Sequence, residues 1–586
     1  MMGKRIPIAV VAFCILAALF SGSLAASQGI PTSHANGGAP SAQPPASASP
    51  QAGTQPNAAP AAASLGSSKS GSTLCAVTSD TAPPLSSPMA AALKLYRTGK
   101  LDQAIAAYNE IAASTNGSEA AAAYAGLARV YLAQKNTADA YAAAQKAVAL
   151  TPDRAPAIVA LGEVYFRQGK LVEAQAAFSK PLRACDLDAR AFLGLNQLYQ
   201  VSLNWKHAKT NIDQAFKLDP DDPEIHRVYM NTLPAKDRIK ALTDYLAEAT
   251  DDDAESRSHL QKELDFLQAE SLRPSSSCRL VTKLKETQAT IVALSDGPTL
   301  VRGYGVGVKV NGVSAHLLLD TGASGILIDQ KIAEKAGVKS VLDTKINGIG
   351  DAGATKGFLG HADKIQIGQL EFDDCLVEVG IGHSVADSNG DGLIGADVFR
   401  HFLVDIYMPG NKLKLTELPP YPDEPAAEPS LDSQALQQFH WHDRYVPPEM
   451  KDYTPIFIFG HGLLVPTSVN SVPPRFFLID TGAFDNTLSL AEAKEATKVS
   501  GDYDMEIKGM SGKVKKVYSA SNATIQFANI KQQREDLTTI DLTHISDNFG
   551  TEISGILGFQ MLWMLEMKID YRDGLVNFTV DPRFVR

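Results

Sequence analysis

Two aspartates have the clearest capacity for chemistry. Asp320 stands in Leu319-Asp320-Thr321-Gly322-Ala323-Ser324, and Asp480 in Ile479-Asp480-Thr481-Gly482-Ala483-Phe484. One Asp-Thr-Gly is a weak signal, because all three are ordinary turn residues. Two copies, each at the end of an apolar run, predict the two halves of a carboxylate pair. Two carboxyl groups held about 3 Å apart cannot both ionise easily, so the pair keeps one proton. Such a pair can take a proton from water and give one to a substrate. Its titration belongs to the pair and not to either member.

The elements that must position these aspartates recur in the same order around each. Tyr304 to Val310 reads as a strand, Asn311-Gly312 as a tight hairpin turn, and Ala315 to Leu319 as the buried return into Asp320. The second copy runs Thr454 to Phe459, a Gly460-His461-Gly462 break, and Arg475 to Ile479 into Asp480. A glycine-rich tip, Asn347 to Gly353, is matched by Lys508 to Lys513. Gly350 falls 30 residues after Asp320, and Gly509 falls 29 after Asp480. Strands at Lys364 to Ile367 and Ala523 to Phe527 follow. Then come Gly392-Leu393-Ile394-Gly395 and Gly555-Ile556-Leu557-Gly558. Helix-like segments are expected at Ala396 to Phe402 and Phe559 to Leu565, and a closing strand after Asp405 and after Asp570.

This order resembles the retropepsin-like (retroviral-type) aspartic proteases, over about Arg279 to Leu418 and Tyr453 to Val580. Both lobes lie on one chain, each of the smaller retroviral scale. The resemblance implies an aspartic endopeptidase in which a water is activated between Asp320 and Asp480, with no metal and no cofactor. Thr321 and Thr481 would hydrogen-bond across the lobe interface. Gly322 and Gly482 would let the backbone turn and bring amide donors to the carboxylates. Gly395 and Gly558 would pack where any Cβ would push the loop away. Flap tips carrying Ile349, Gly350, Gly509 and Met510 would fold over substrate. Ser324, Phe484 and Asp485 lie where the family contacts substrate. The mismatch of Ser324 with Phe484, and of Gly325 with Asp485, predicts an asymmetric cleft.

Upstream the pattern is Ala-rich and helical. Tyr131, Tyr165 and Tyr199 are each followed nine residues later by Ala140, Ala174 and Ala208, so the unit repeats every 34 residues. An earlier unit holds Leu95, Ala104 and Tyr108; a degenerate one spans Tyr229 to Tyr245; Glu255 to Ala269 reads as a further charged helix. This resembles tetratricopeptide repeats, which implies a concave surface for a protein or peptide partner. A spacer or dimerisation element is the alternative.

The chain of 586 residues carries a formal net charge of −11 and no basic stripe, which argues against nucleic acid. Lys4 and Arg5, the apolar run Ile6 to Phe20 and Ser23-Leu24-Ala25 read as a secretory signal, so export to a periplasmic or extracellular space is expected. An uncleaved membrane anchor is the alternative. Ser27 to Ser72 has the composition of a disordered tether. Cys75, Cys185, Cys278 and Cys375 remain after signal removal. Their spacing does not choose a pairing, and none forms a C-x-x-C zinc motif. Asp387 to Gly392 opens as a calcium loop would, but Val398 stands where the closing Glu is needed, so a polar turn is expected. His440-Trp441-His442-Asp443 lacks a second cluster for a metal. No G-x-S-x-G elbow or H-E-x-x-H helix is present.

The expected architecture is a multidomain α + all-β chain: signal peptide 1–26, tether 27–74, helical repeat domain 75–274, lobe 1 at 279–418, connector 419–452 and lobe 2 at 453–586. A reading of a different class is a scaffold protein, whose lobes grip an extended peptide without cutting it.

Overall fold

The computed structural model describes residues 85–184, 186–248, 254–271, 278–296, 300–346, 355–381, 390–420, 444–501, 507–509, 512–514 and 516–584. The signal and tether, Cys75, Cys185, Ile349, Gly350, Met510, the start of the calcium-like loop and His440 to Asp443 lie outside the described residues.

From Ser87 to Ser271 the chain forms successive antiparallel helices. Helix starts are written locally in the sequence. Asn136 accepts from the Asp139 amide, Asp188 from those of Arg190 and Ala191, and Asp222 from those of Glu224 and Ile225. Each satisfies donors that the first helical turn leaves open. The alanines that mark the period, Ala140, Ala174 and Ala208, are buried where helices cross. Phe178 shows why small residues recur. Its ring is fully buried, and a Cβ on Gly162 would stand 2.7 Å from it, while one on Gly194 would overlap it outright. Phe178→Ala is expected to cost about 3–5 kcal/mol, read as a lower urea midpoint for loss of helical circular dichroism.

The second part is all-β, and its two lobes share one topology. In lobe 1, Leu300–Val310 and Val313–Asp320 form a hairpin, and Gly392–Gly395 pairs parallel to the second strand, with Asp320 opposite Gly395. Ile326–Asp329 pairs antiparallel to that segment and parallel to Leu370–Gly380. In lobe 2, Gly462–Val469 and Arg475–Ile479 form the hairpin and Gly555–Leu557 runs parallel beside it. Thr487–Ser489 repeats the role of Ile326–Asp329. The Asn311-Gly312 turn has φ of 47° and 85°, as a two-residue hairpin requires.

The closing strands pair across the lobes. Phe402–Tyr407 of lobe 1 lies antiparallel to Leu565–Asp570 of lobe 2, in register from Leu403 opposite Asp570 to Tyr407 opposite Glu566. This shortens the expected helix-like segments to a 3-10 turn at Ala396–Phe399 and a helix at Phe559–Leu562. Phe402 and Leu565 instead begin strands whose alternate residues (Phe402, Val404, Ile406; Leu565, Met567, Ile569) enter one shared core. Asp405 and Asp570 lie in these strands, and the expected closing strand follows each, Lys412–Glu417 and Leu575–Val580. A disulfide joins Cys278 to Cys375, settling one pairing that spacing left open.

The helical part docks on lobe 2. Phe166 packs 5.6 Å from Phe459, ring to ring. Arg167 donates to the Ser546 carbonyl (2.6 Å) and ion-pairs with Asp547, and its own carbonyl accepts the Glu552 amide (2.8 Å). Val159, Phe178 and Phe192 share one apolar cluster with Phe457, Phe476 and Phe549.

Candidate active site

Each Asp-Thr-Gly leaves the end of a buried central strand, at the middle of the molecule where the two lobes meet. The threonines tie the loops together reciprocally. Thr321 donates its hydroxyl to the Ile479 carbonyl (2.9 Å) and accepts the Thr481 amide (3.0 Å). Thr481 donates to the Leu319 carbonyl (2.8 Å) and accepts the Thr321 amide (3.0 Å). All four groups are buried, so removing one hydroxyl would strand a donor and an acceptor at once.

This lock sets the two carboxylates side by side. Asp320 Oδ1 accepts the Gly322 amide at 2.8 Å. Asp480 Oδ1 accepts the amides of Gly482 and Ala483, each at 2.8 Å. The Oδ2 atoms are buried and receive no donor. The two carboxyls touch, so a proton between them relieves their repulsion. Burial first, then the Asp480 charge and carboxyl contact, hold Asp320 well above its ordinary 3.8. Burial likewise raises Asp480 to about 6, against the pull of the Ala483 amide.

The glycines leave no room for side chains. A Cβ on Gly322 would lie 2.6 Å from Asp480 Cγ, and one on Gly482 2.5 Å from Asp320 Cγ. On Gly395 a Cβ would meet the Ala323 carbonyl oxygen at 2.5 Å, and on Gly558 the Asp485 carbonyl carbon at 2.5 Å. Gly509 lies in the hairpin Ile507–Gly509 with Gly512–Val514, opposite Gly512.

The surroundings are asymmetric. Ser324 turns its hydroxyl to Asp397 (2.9 Å), which also accepts the Gly325 amide (3.0 Å); burial raises the Asp397 pKa. Phe484 is buried beneath the Arg302 guanidinium, 5.0 Å from its ring centre, and beside Phe559. Asp485, raised by burial, lies within reach of the Arg534 and Arg302 charges. In lobe 2 Asn486 takes the bracing role of Asp397, accepting the Gly558 amide at 2.8 Å.

Arg302, His461, Asp397, Asn486 and Tyr571 were not singled out from sequence. Gly305 pairs with Leu318, and Leu464 with Leu478, each two residues before its Asp. Arg302 and His461 therefore occupy equivalent places, three residues earlier, and aligning the two copies would have found them. His461 lies beside the Gly322 backbone and 5.2 Å from the Phe549 ring; burial lowers its pKa to about 4. Burial, with the Asp397 and Asp320 charges, pushes the Tyr571 phenol far up. Among the described residues no group of three or more His, Cys, Asp or Glu side chains could hold a metal.

The pair has a consequence for stability. A carboxyl raised on folding binds its proton more tightly in the native state. Its stabilising contribution is therefore complete below 3.8 and lost as pH rises through about 6. Wild type is expected to lose stability relative to Asp320→Asn/Asp480→Asn from about pH 4 upward, through about 6 and beyond as Asp320 also ionises, measured by urea unfolding at each pH.

Two all-β lobes, each sending an Asp-Thr-Gly loop to a common centre, define an aspartic-protease-type fold, here preceded by a tetratricopeptide-type helical region. A family model described as aspartyl protease matches residues 306–398, and one described as tetratricopeptide repeat matches 131–198. The first match lies within lobe 1, so the kinship of lobe 2 rests on the chain's own duplication. "DNA damage-inducible protein 1" of Cryptococcus neoformans is 31% identical over 20% of this chain and 26% of its own length. The "UBA domain-containing protein Mud1" of Schizosaccharomyces pombe is 30% identical over 19% and 32%. The Neurospora crassa "DNA damage-inducible protein 1" is 25% identical over 37% and 53%. The chain thus spans about a quarter to a half of these curated relatives. The aspartic proteinase from Irpex lacteus, a crystal structure, aligns over 51% of this chain and 98% of its own at 13% identity and a TM-score of 0.31.

Proposed function

We propose that the chain is an exported aspartic endopeptidase, in which Asp320 and Asp480 activate a water and the helical repeats recruit a protein substrate. One observation carries this reading: two buried carboxylates, locked together by reciprocal threonine hydrogen bonds, touch each other with their outer oxygens short of donors. In the proposed reaction the ionised member of the pair takes a proton from water as its oxygen bonds to the peptide carbonyl carbon. The protonated member gives its proton to the carbonyl oxygen. A proton then passes to the amide nitrogen and the C–N bond breaks. Thr321, Thr481, Gly322, Gly482, Gly395 and Gly558 position the pair. The hairpin holding Gly509, and its lobe 1 counterpart, cover the substrate, and Asp485 contributes to the cleft wall. Residues 279–418 and 453–586 act as the lobes, 75–274 as the recruiting domain.

Export is supported by the apolar run Ile6 to Phe20 and by the Cys278–Cys375 disulfide, which suits an oxidising compartment. The test is cleavage of a peptide library by the purified chain from about pH 3 to 8, with and without a hydroxyl-bearing transition-state mimic. Sites cut only by wild type and protected by the mimic support the reading. A wild type that binds peptides and cuts none at any pH overturns it.

A further inference from the structure

The helical part docks on lobe 2 and also faces lobe 1 strands. A groove of about 1610 Å³ lies between them. Its walls are the inner helices, the lobe 1 strands on either side of the glycine-rich tip (Leu342 to Lys345, Lys356, Gly357) and the Asp547 to Gly550 turn of lobe 2. This volume exceeds the ~300–1,000 Å³ of a small-molecule pocket. Side chains link its wall to the carboxylate loops: Phe549 lines the groove and packs against His461, which lies beside the Gly322 backbone.

The groove is cationic in an acidic protein. Nine Lys or Arg residues line it against six Asp or Glu, while the whole chain carries −11. The acids are largely committed. Glu163 pairs with Arg129 and Arg190, Asp222 and Glu224 with Arg190, and Asp547 with Arg167. Among the described residues Arg227, Lys345 and Lys356 have no ion-pair partner. These donors call for carboxylates and carbonyl oxygens spaced along an extended backbone.

We infer that the groove between the helical repeats and the lobe 1 flap strands is an exosite for an acidic, extended segment of the substrate, flanking the bond to be cut on one side only. This rests on the peptidase reading for its purpose, but its binding can be measured without cleavage.

The experiment uses the full chain and a cleavable core peptide carrying a Glu-rich, a neutral or a Lys-rich extension at either end. The Glu-rich extension at one end is expected to lower KM by about tenfold at low salt, with the gain fading as salt screens it. In parallel, a fluorescein-labelled Glu-rich peptide is titrated by anisotropy into Asp320→Asn/Asp480→Asn. Adding Arg227→Glu/Lys356→Glu should weaken that binding about tenfold and transfer the preference to the Lys-rich peptide, a gain that misfolding would not give. Equal KM for acidic and neutral extensions with intact cleavage overturns the exosite and leaves the peptidase reading standing. Charge-dependent peptide binding with no cleavage of any peptide supports the exosite and removes the peptidase reading. Binding unaffected by the charge reversal, such as to a second copy of the chain or elsewhere on the surface, overturns the exosite.

Discussion

Asn at either Asp320 or Asp480 is expected to lower kcat for peptide hydrolysis by about 10²–10⁴-fold, with KM little changed. Asn is nearly isosteric, and its carbonyl oxygen can still accept the Gly322 or Gly482 amide that now bonds Oδ1. What it lacks is the ability to take or give a proton. The variant should also melt at a higher temperature than wild type at pH 7, because a buried charge that folding disfavours has been removed. Steady-state kinetics on one cleavable peptide, with calorimetry on the same samples, check both. Loss of activity with a lower melting temperature would point to a damaged fold.

The second large effect is expected at Gly482. Its added Cβ would lie 2.5 Å from Asp320 Cγ, closer than atoms can approach, so the opposite carboxylate must move. A displacement of about 1 Å at reacting groups costs roughly 10²-fold in rate, and Gly482→Ala should lose at least that much in kcat. Gly307→Ala is the matched control. Gly307 lies on the strand Leu300–Val310 with nothing within 4 Å of its Cβ position, so its alanine variant should cleave as wild type does. Equal loss in both variants would mean that strand stiffness, and not the contact with Asp320, governs the rate.

Much of this arrangement was legible because the chain writes it twice. Asp320 and Asp480, Gly395 and Gly558, and the turn before each returning strand recur at matched intervals, and a helical period of 34 residues marks the repeats. Other features depend on distant surfaces meeting. The pairing of Phe402–Tyr407 with Leu565–Asp570 is set by alternating burial in a core built from both lobes. The docking of Phe166 and Arg167 on lobe 2 joins residues 293 and 379 positions apart, and neither carries a motif. Arg302 and His461 escaped notice because their types differ although their places in the duplication agree. The Ser324 hydroxyl is held by Asp397, a residue whose bracing role depends on the loop geometry.

Counting carboxylic-acid protons by infrared difference titration, wild type against Asp320→Asn/Asp480→Asn, tests the shared proton most directly. The account predicts that wild type holds one extra proton well above pH 3.8 and releases it near or above pH 6. Two carboxyls that each titrate independently at their ordinary 3.8 would contradict it.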